Sequence, residues 1–218
     1  TDKSEWGMTP PTVNAYYNPN MNEIVFPAGI LQPPFFNAKD DDAINYGGIG
    51  AVIAHEITNG FDDQGRQYDA EGNIRDWWTK ESAEKYKERA DKIVKQYSSY
   101  EPLPGMHING ELTQGENIAD DGGVKLAFAA LQKVLKDKPQ EKIDGFTPDQ
   151  RFFLGWAQVW RANTRDEAMK LRLNTDPHSP SKFRCNGPLS NSPDFKKAFN
   201  LPDKCPMVRP ADQIVSIW

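Results

Sequence analysis

His55 and Glu56 stand side by side on an apolar stretch, Ala51-Val52-Ile53-Ala54-His55-Glu56-Ile57-Thr58-Asn59. Residues four apart share one face of a helix, so imidazoles at positions 55 and 59 could bind a single zinc ion. Glu56 could then reach a water beside that ion as general base. The residue at 59 is asparagine, and the pattern reads H-E-x-x-N rather than H-E-x-x-H. Alone, a His-Glu pair on an apolar helix is more often plain core.

Further residues change that balance. Glu116 and Asp120 stand at i,i+4 in Gly115-Glu116-Asn117-Ile118-Ala119-Asp120 and share a helical face. They could be a solvated acidic first turn that complements the helix dipole. In so apolar a segment they could equally be buried, and buried carboxylates need cations or hydrogen-bond donors. His178 is presented by the rigid loop Asp176-Pro177-His178-Ser179-Pro180, with Arg184 close behind. His107, in the connection 101–110, reads as structural. A zinc hydrolase of the His₂Glu type needs two imidazoles, a carboxylate ligand and an open position for water. It also needs a base and donors aimed at the oxyanion. Every role except the second imidazole has a candidate.

The elements that must position these residues follow from pattern. Residues 12–17 and 22–26 are β-type runs around Asn18-Pro19-Asn20-Met21 and predict a hairpin. Residues 27–36, with three prolines, predict an irregular segment whose apolar side chains are buried. Asp40–Asp42 supply an N-cap for a helix over about 43–60. Gly47, Gly48 and Gly50 within it imply close approach of another backbone. Thr79 caps an amphipathic helix over 80–98, with Tyr86, Ala90, Ile93 and Tyr97 on one stripe. A further helix opens at Gly115 and continues to Leu135. Thr147-Pro148-Asp149 starts another, whose Phe152, Phe153, Trp156, Val159 and Trp160 are core first and pocket second. Ser192-Pro193-Asp194 begins a last short one. The fold class is mainly α with a small β-hairpin or sheet (α+β), in one unit spanning 1–218.

The 218 residues carry a net charge of −5 with no basic run, which argues against nucleic acid and anionic membrane as partners. No apolar run approaches the roughly 20 residues of a membrane span. The chain opens at Thr1 with neither Met nor signal peptide, as expected of an excised part of something longer. Cys185 and Cys205 could pair, closing a loop of about 20 residues, or be unrelated thiols. The compartment stays open, with an extracytoplasmic one favoured.

The chain resembles, over essentially its whole length, the C-terminal catalytic portion of the neprilysin family of gluzincin peptidases. The likeness is carried by Val13-Asn14-Ala15-Tyr16, residues 26–36, Asn45-Tyr46-Gly47-Gly48-Ile49-Gly50 and His55-Glu56-Ile57-Thr58. It continues in residues 115–120, Ala157-Gln158-Val159-Trp160, residues 176–180 and the terminal Trp218. The resemblance implies His55 and Glu116 as zinc ligands, with Asn59 where the other His ligand belongs. It implies Glu56 as the residue that activates water, with Asp120 and Asp62 orienting positions 55 and 59. His178 would stabilise the oxyanion and Arg184 would hold a substrate carbonyl. Asn14 and Ala15 would bind the peptide main chain. Ile30, Phe35, Val52, Val159 and Trp160 would line a pocket for a large apolar residue just after the cut. The implied activity is a zinc metalloendopeptidase acting on oligopeptides, crippled at Asn59. The intact remainder of the site points to a recent or deliberate change there. The alternative is a module that binds peptides without cleaving them. The family's N-terminal lobe is absent from this chain, leaving the cleft open or covered by another copy.

Overall fold

The computed structural model describes residues 2–217, so Trp218 lies outside it. One helical run organises the rest. Asp41 caps it, its side chain accepting from the Ala43 amide. It comprises α1 (Asp42–Asn45), a π turn (Tyr46–Gly50) and α2 (Ala51–Asn59). The single helix expected over 43–60 is therefore present, with a π turn inside it.

Two of its three glycines have the expected cause. A Cβ on Gly47 would lie 2.0 Å from the Phe152 carbonyl oxygen, and one on Gly48 only 2.4 Å from that of Phe35. Gly50 meets nothing closer than 3.5 Å, so close approach does not explain it. Gly47→Ala should accordingly cost about 3 kcal/mol through overpacking. Gly50→Ala should be neutral or gain up to about 1 kcal/mol in a helix. Thermal melts of the two variants check this; equal melting temperatures would refute the close-approach account.

The hairpin consists of β1 (Tyr16–Asn18) and β2 (Glu23–Val25), antiparallel with Tyr16 opposite Val25. It is shorter than the expected runs, and Val13, Asn14 and Ala15 stay outside the ladder. Between residues 27 and 36 only a short 3₁₀ turn forms, at Ala28–Ile30. Pro27 and Ile30 are buried and Phe35 and Phe36 half-buried, but Leu31, Pro33 and Pro34 face solvent. The burial expected of this whole segment holds for its ends alone.

Helix α3 (Lys80–Ser98) is capped by Thr79 and buries Tyr86, Ala90, Ile93 and Tyr97, as the stripe requires. Helix α4 (Gln114–Leu135) runs through the centre and packs chiefly on α2. Helix α5 (Pro148–Val159) opens with a reciprocal capping box between Thr147 and Gln150. Helices α6 (Asp166–Thr175) and α7 (Ser181–Ser190) were not predicted, and α8 (Pro193–Ala198) starts on the Ser192 cap as expected. Phe128, Leu131, Phe152, Phe153 and Trp156 form the main core, and α3 closes a second one with Ile118, Leu173 and Phe183. A small third cluster of Ala15, Ile30 and Ile49 backs the cleft wall.

One buried carboxylate outside the cleft makes the fold pH-sensitive. Asp121 accepts from Asn191 Nδ2 at 3.1 Å, and Asn191 Oδ1 takes the Val215 amide at 3.3 Å. Burial pushes the Asp121 carboxyl up to about 7, against the Asn191 hydrogen bond and Lys125. The folded state thus binds a proton that the unfolded chain, near 3.8, has released, so stability falls as pH rises from about 4 to about 7. Asp121→Asn should be more stable than the parent at pH 8, by roughly 1–3 kcal/mol, with the gain vanishing near pH 4. Urea titrations at both pH values measure the difference.

Candidate active site

Three segments converge beneath the hairpin. Helix α2 brings His55, Glu56 and Asn59; α4 brings Glu116 and Asp120; Arg184 on α7 and the loop before it add His178. The two long helices approach closely because α4 carries glycine at the crossing. A Cβ on Gly123 would sit 2.8 Å from the Ala51 carbonyl oxygen and 3.0 Å from the His55 amide.

His55 Nδ1 lies 2.8 Å from Asp120 Oδ1, and its Nε2 lies 3.1 Å from Glu116 Oε2. The second approach is an ion-pair distance that does not align as a hydrogen bond, since Glu116 Oε2 is buried without a hydrogen-bond partner. Burial opposes charge on His55, but Asp120 and Glu116 outweigh it and raise the ring to about 10. A bound cation would reverse this, because ligation requires the neutral ring. Asp120 is fully buried and takes Arg184 bidentately, from Nε at 2.7 Å and Nη2 at 2.8 Å. Its burial penalty is overcome by Arg184 and His55, and the carboxyl falls to about 2. Glu116 is likewise lowered against its burial by His55, His178 and Arg184. The Arg184 guanidinium stacks 4.2 Å from the Trp160 ring centre.

Glu56 is buried and its pKa is raised, mainly by desolvation. Asn59 turns its Nδ2 to Glu56 Oε2 at 3.3 Å, leaving its own Oδ1 buried without a partner. The opposite amide orientation would set oxygen against carboxylate. His178 Nε2 lies 3.4 Å from Glu116 Oε2, while Asp176 Oδ1 binds both its Nδ1 and its backbone amide.

These groups face a cleft of about 430 Å³ lined also by Asn14, Ala15, Ile30, Phe35, Val52 and Trp160. One expected member stands apart. Val159 is half-buried against the main core and does not line the cleft, because its side of α5 faces inward. Asp62 gives its Oδ1 to the Gln64 and Gly65 amides at 2.9 and 2.8 Å, capping its own turn. Burial raises it to about 7. Trp156 and Tyr16 line the cleft and were not predicted as site residues. Asp176, the partner of His178, was also missed; an Asp two residues before a loop histidine was the available signal. Cys185 and Cys205 are both free thiols.

The donor set can be tested against a zinc ion. Two ligands at tetrahedral positions around zinc stand about 3.3 Å apart, and the His55 Nε2 to Glu116 Oε2 separation is 3.1 Å. Two buried oxygens without hydrogen bonds, Glu116 Oε2 and Asn59 Oδ1, belong to the same cluster of side chains. His55 and Glu116 fit the ion; Asn59 offers a weak neutral oxygen where a second imidazole would complete the set.

A helical domain with a small sheet, and a buried His-Glu-Glu cluster on two crossed helices, is the architecture of a zinc-dependent peptidase domain. The profile of Peptidase family M13 matches residues 14–214, and the chain belongs to that family. It is 50% identical over 209 residues to endothelin-converting enzyme 1 of Mus musculus, covering 94% of this chain and 27% of the relative. Neprilysin-3 of Drosophila melanogaster is 49% identical over 202 residues, covering 91% of this chain and 26% of the relative. A zinc metalloprotease of Mycobacterium tuberculosis, solved with an inhibitor, superposes on all of this chain with a TM-score of 0.97 at 50% identity, over 34% of its own length. The chain thus spans about a quarter to a third of the length of these proteins. Among the described residues no helix is long and apolar enough to cross a membrane.

Proposed function

We propose that this chain is the catalytic portion of a zinc metalloendopeptidase that cuts oligopeptides on the N-terminal side of large apolar residues, impaired by Asn59. The observation that carries the reading is the approach of His55 Nε2 to Glu116 Oε2 at 3.1 Å, with Glu56 in the same cleft. His55 and Glu116 would hold zinc, whose chemistry is to polarise the scissile carbonyl and lower the pKa of a water. Asp120 fixes the His55 ring through Nδ1 and at the same time aims the Arg184 guanidinium. Glu56, its pKa raised by burial, is suited to take the proton of the attacking water and pass it to the leaving amine. His178, with Nδ1 held by Asp176, points Nε2 into the cleft as a donor to the oxyanion. The peptide main chain would lie along Asn14 and Ala15. The residue after the cut would enter among Ile30, Phe35, Val52 and Trp160.

The cleft is open on this chain, and we assign its cover to the further length that the relatives possess, or to a second copy. An extracytoplasmic setting suits that reading. A second reading, a peptide-binding module without turnover, is favoured by the Asn59–Glu56 contact at 3.3 Å, which occupies the base. The two separate on one assay. Peptides differing only in Phe or Ala after the cut are incubated with the Asn59→His variant and products are mapped by mass spectrometry. Cleavage before Phe supports the peptidase; binding of both peptides without products supports the module.

A further inference from the structure

Glu116 Oε2 lies between two imidazoles, with His55 Nε2 at 3.1 Å and His178 Nε2 at 3.4 Å. Each ring places Nδ1 at 2.8 Å from a carboxylate oxygen, His55 on Asp120 and His178 on Asp176. An ionised carboxylate only accepts, so both Nδ1 atoms carry the proton. In the neutral rings the lone pairs then sit on Nε2, and both face one carboxylate oxygen. Acceptors set against an acceptor repel unless a proton or a metal cation lies among them. Glu116 Oε2 has no hydrogen bond to relieve this. Arg184 Nη2 is 3.7 Å away, and the guanidinium is committed to Asp120. Three carboxylates, Glu56, Glu116 and Asp120, feel that guanidinium, while Asp176 is paired with Arg172 Nε at 3.1 Å.

A histidine whose Nδ1–H is held by a carboxylate is the usual state of a metal ligand. His178 has that state in the same form as His55. Asn59 contributes no imidazole and its Nδ2 is turned to Glu56. We propose that His178 replaces the missing imidazole in this chain, so that His55, Glu116 and His178 form the His₂Glu set for zinc. This rests on the reading of His55 and Glu116 as ligands. Among the described residues no three His, Cys, Asp or Glu already converge as a metal site. The closing step is therefore a small shift of the His178 loop, whose histidine side chain is 43% exposed, with the Nδ1 contact to Asp176 kept. A ring that ligates zinc cannot also donate to an oxyanion. The chain would then hold metal while lacking its transition-state donor, which uncouples metal binding from turnover.

The test is zinc affinity, by competition with a chromophoric chelator, together with cobalt(II) absorption spectra. Four forms are compared: the chain as given, His178→Ala, Asn59→His, and the double variant. His178→Ala should weaken zinc at least tenfold in the chain as given and shift the cobalt bands. In the Asn59→His background the same change should alter affinity less than about twofold. Asp176→Asn, which keeps the ring but removes its Nδ1 partner, should weaken zinc about 10–100-fold in the Asn59 chain. Circular dichroism melts confirm that each form is folded. Unchanged affinity and spectrum on His178→Ala in the Asn59 chain overturns the proposal while leaving the assignment of His55 and Glu116 intact. Failure of every form to bind zinc, Asn59→His included, overturns both.

Discussion

Asn59→His is expected to tighten zinc at least tenfold, by returning the helix imidazole in place of the stand-in His178, and to switch on peptide hydrolysis. Changes one shell beyond the metal already cost 10–100-fold in affinity, and this substitution restores a ligand itself. Three local effects act together. The buried Asn59 Oδ1 without a partner disappears, and with it the unpaired polar cost. The 3.3 Å contact that engages Glu56 is lost, freeing the base. Asp62, held at about 7 by burial, gains a ring N–H within reach of its turn and should titrate lower. Calorimetry with zinc and product analysis on a Phe-containing peptide measure the outcome. A variant that gains neither metal nor cleavage, yet still binds peptide, would sink the peptidase reading.

In that restored background, Glu56→Gln should remove nearly all turnover while leaving zinc affinity within about threefold. General-base transfer by a placed carboxylate contributes typically 10²–10⁴-fold. The amide keeps the shape of the side chain and cannot take a proton. Burial raises the Glu56 pKa from its ordinary 4.5, so the acid limb of kcat/KM in the Asn59→His enzyme should lie above that value. The limb belongs to the base and should vanish from whatever activity Glu56→Gln retains. Equal kcat in the two proteins would remove Glu56 from the mechanism.

Local rules were enough for much of the fold. Thr79, Thr147 and Ser192 cap helices because short polar side chains satisfy free amides at helix starts, and each does so here. Gly47 and Gly48 announced tight crossings that the Phe152 and Phe35 carbonyls then fill. Helix α7 escaped because it has no side-chain cap and carries Gly187 and Pro188 inside. Helix α6 escaped because Leu173 is the one buried residue to mark a face. The meeting of His55 with Glu116, Asp120, His178 and Arg184 was not legible from spacing. These residues are scattered over the chain, and the resemblance to a family brought them together before the coordinates did. Val159 shows the limit of that transfer, because it sits a helical step away from the cleft.

The π turn at Tyr46–Gly50 has a consequence for how the site tolerates change in length. A π turn is an α-helix with one residue inserted. Each residue advances a helix by about 100°. The π turn absorbs its extra residue and leaves the helix on either side in register, whereas the regular α2 between Ala51 and His55 cannot. A chain one residue shorter between Ala51 and His55 would retain its helix. Its imidazole would point about a quarter-turn away from Glu116. The site is stored as a count of residues, and point substitution can weaken it by degrees where a single deletion turns it off at once.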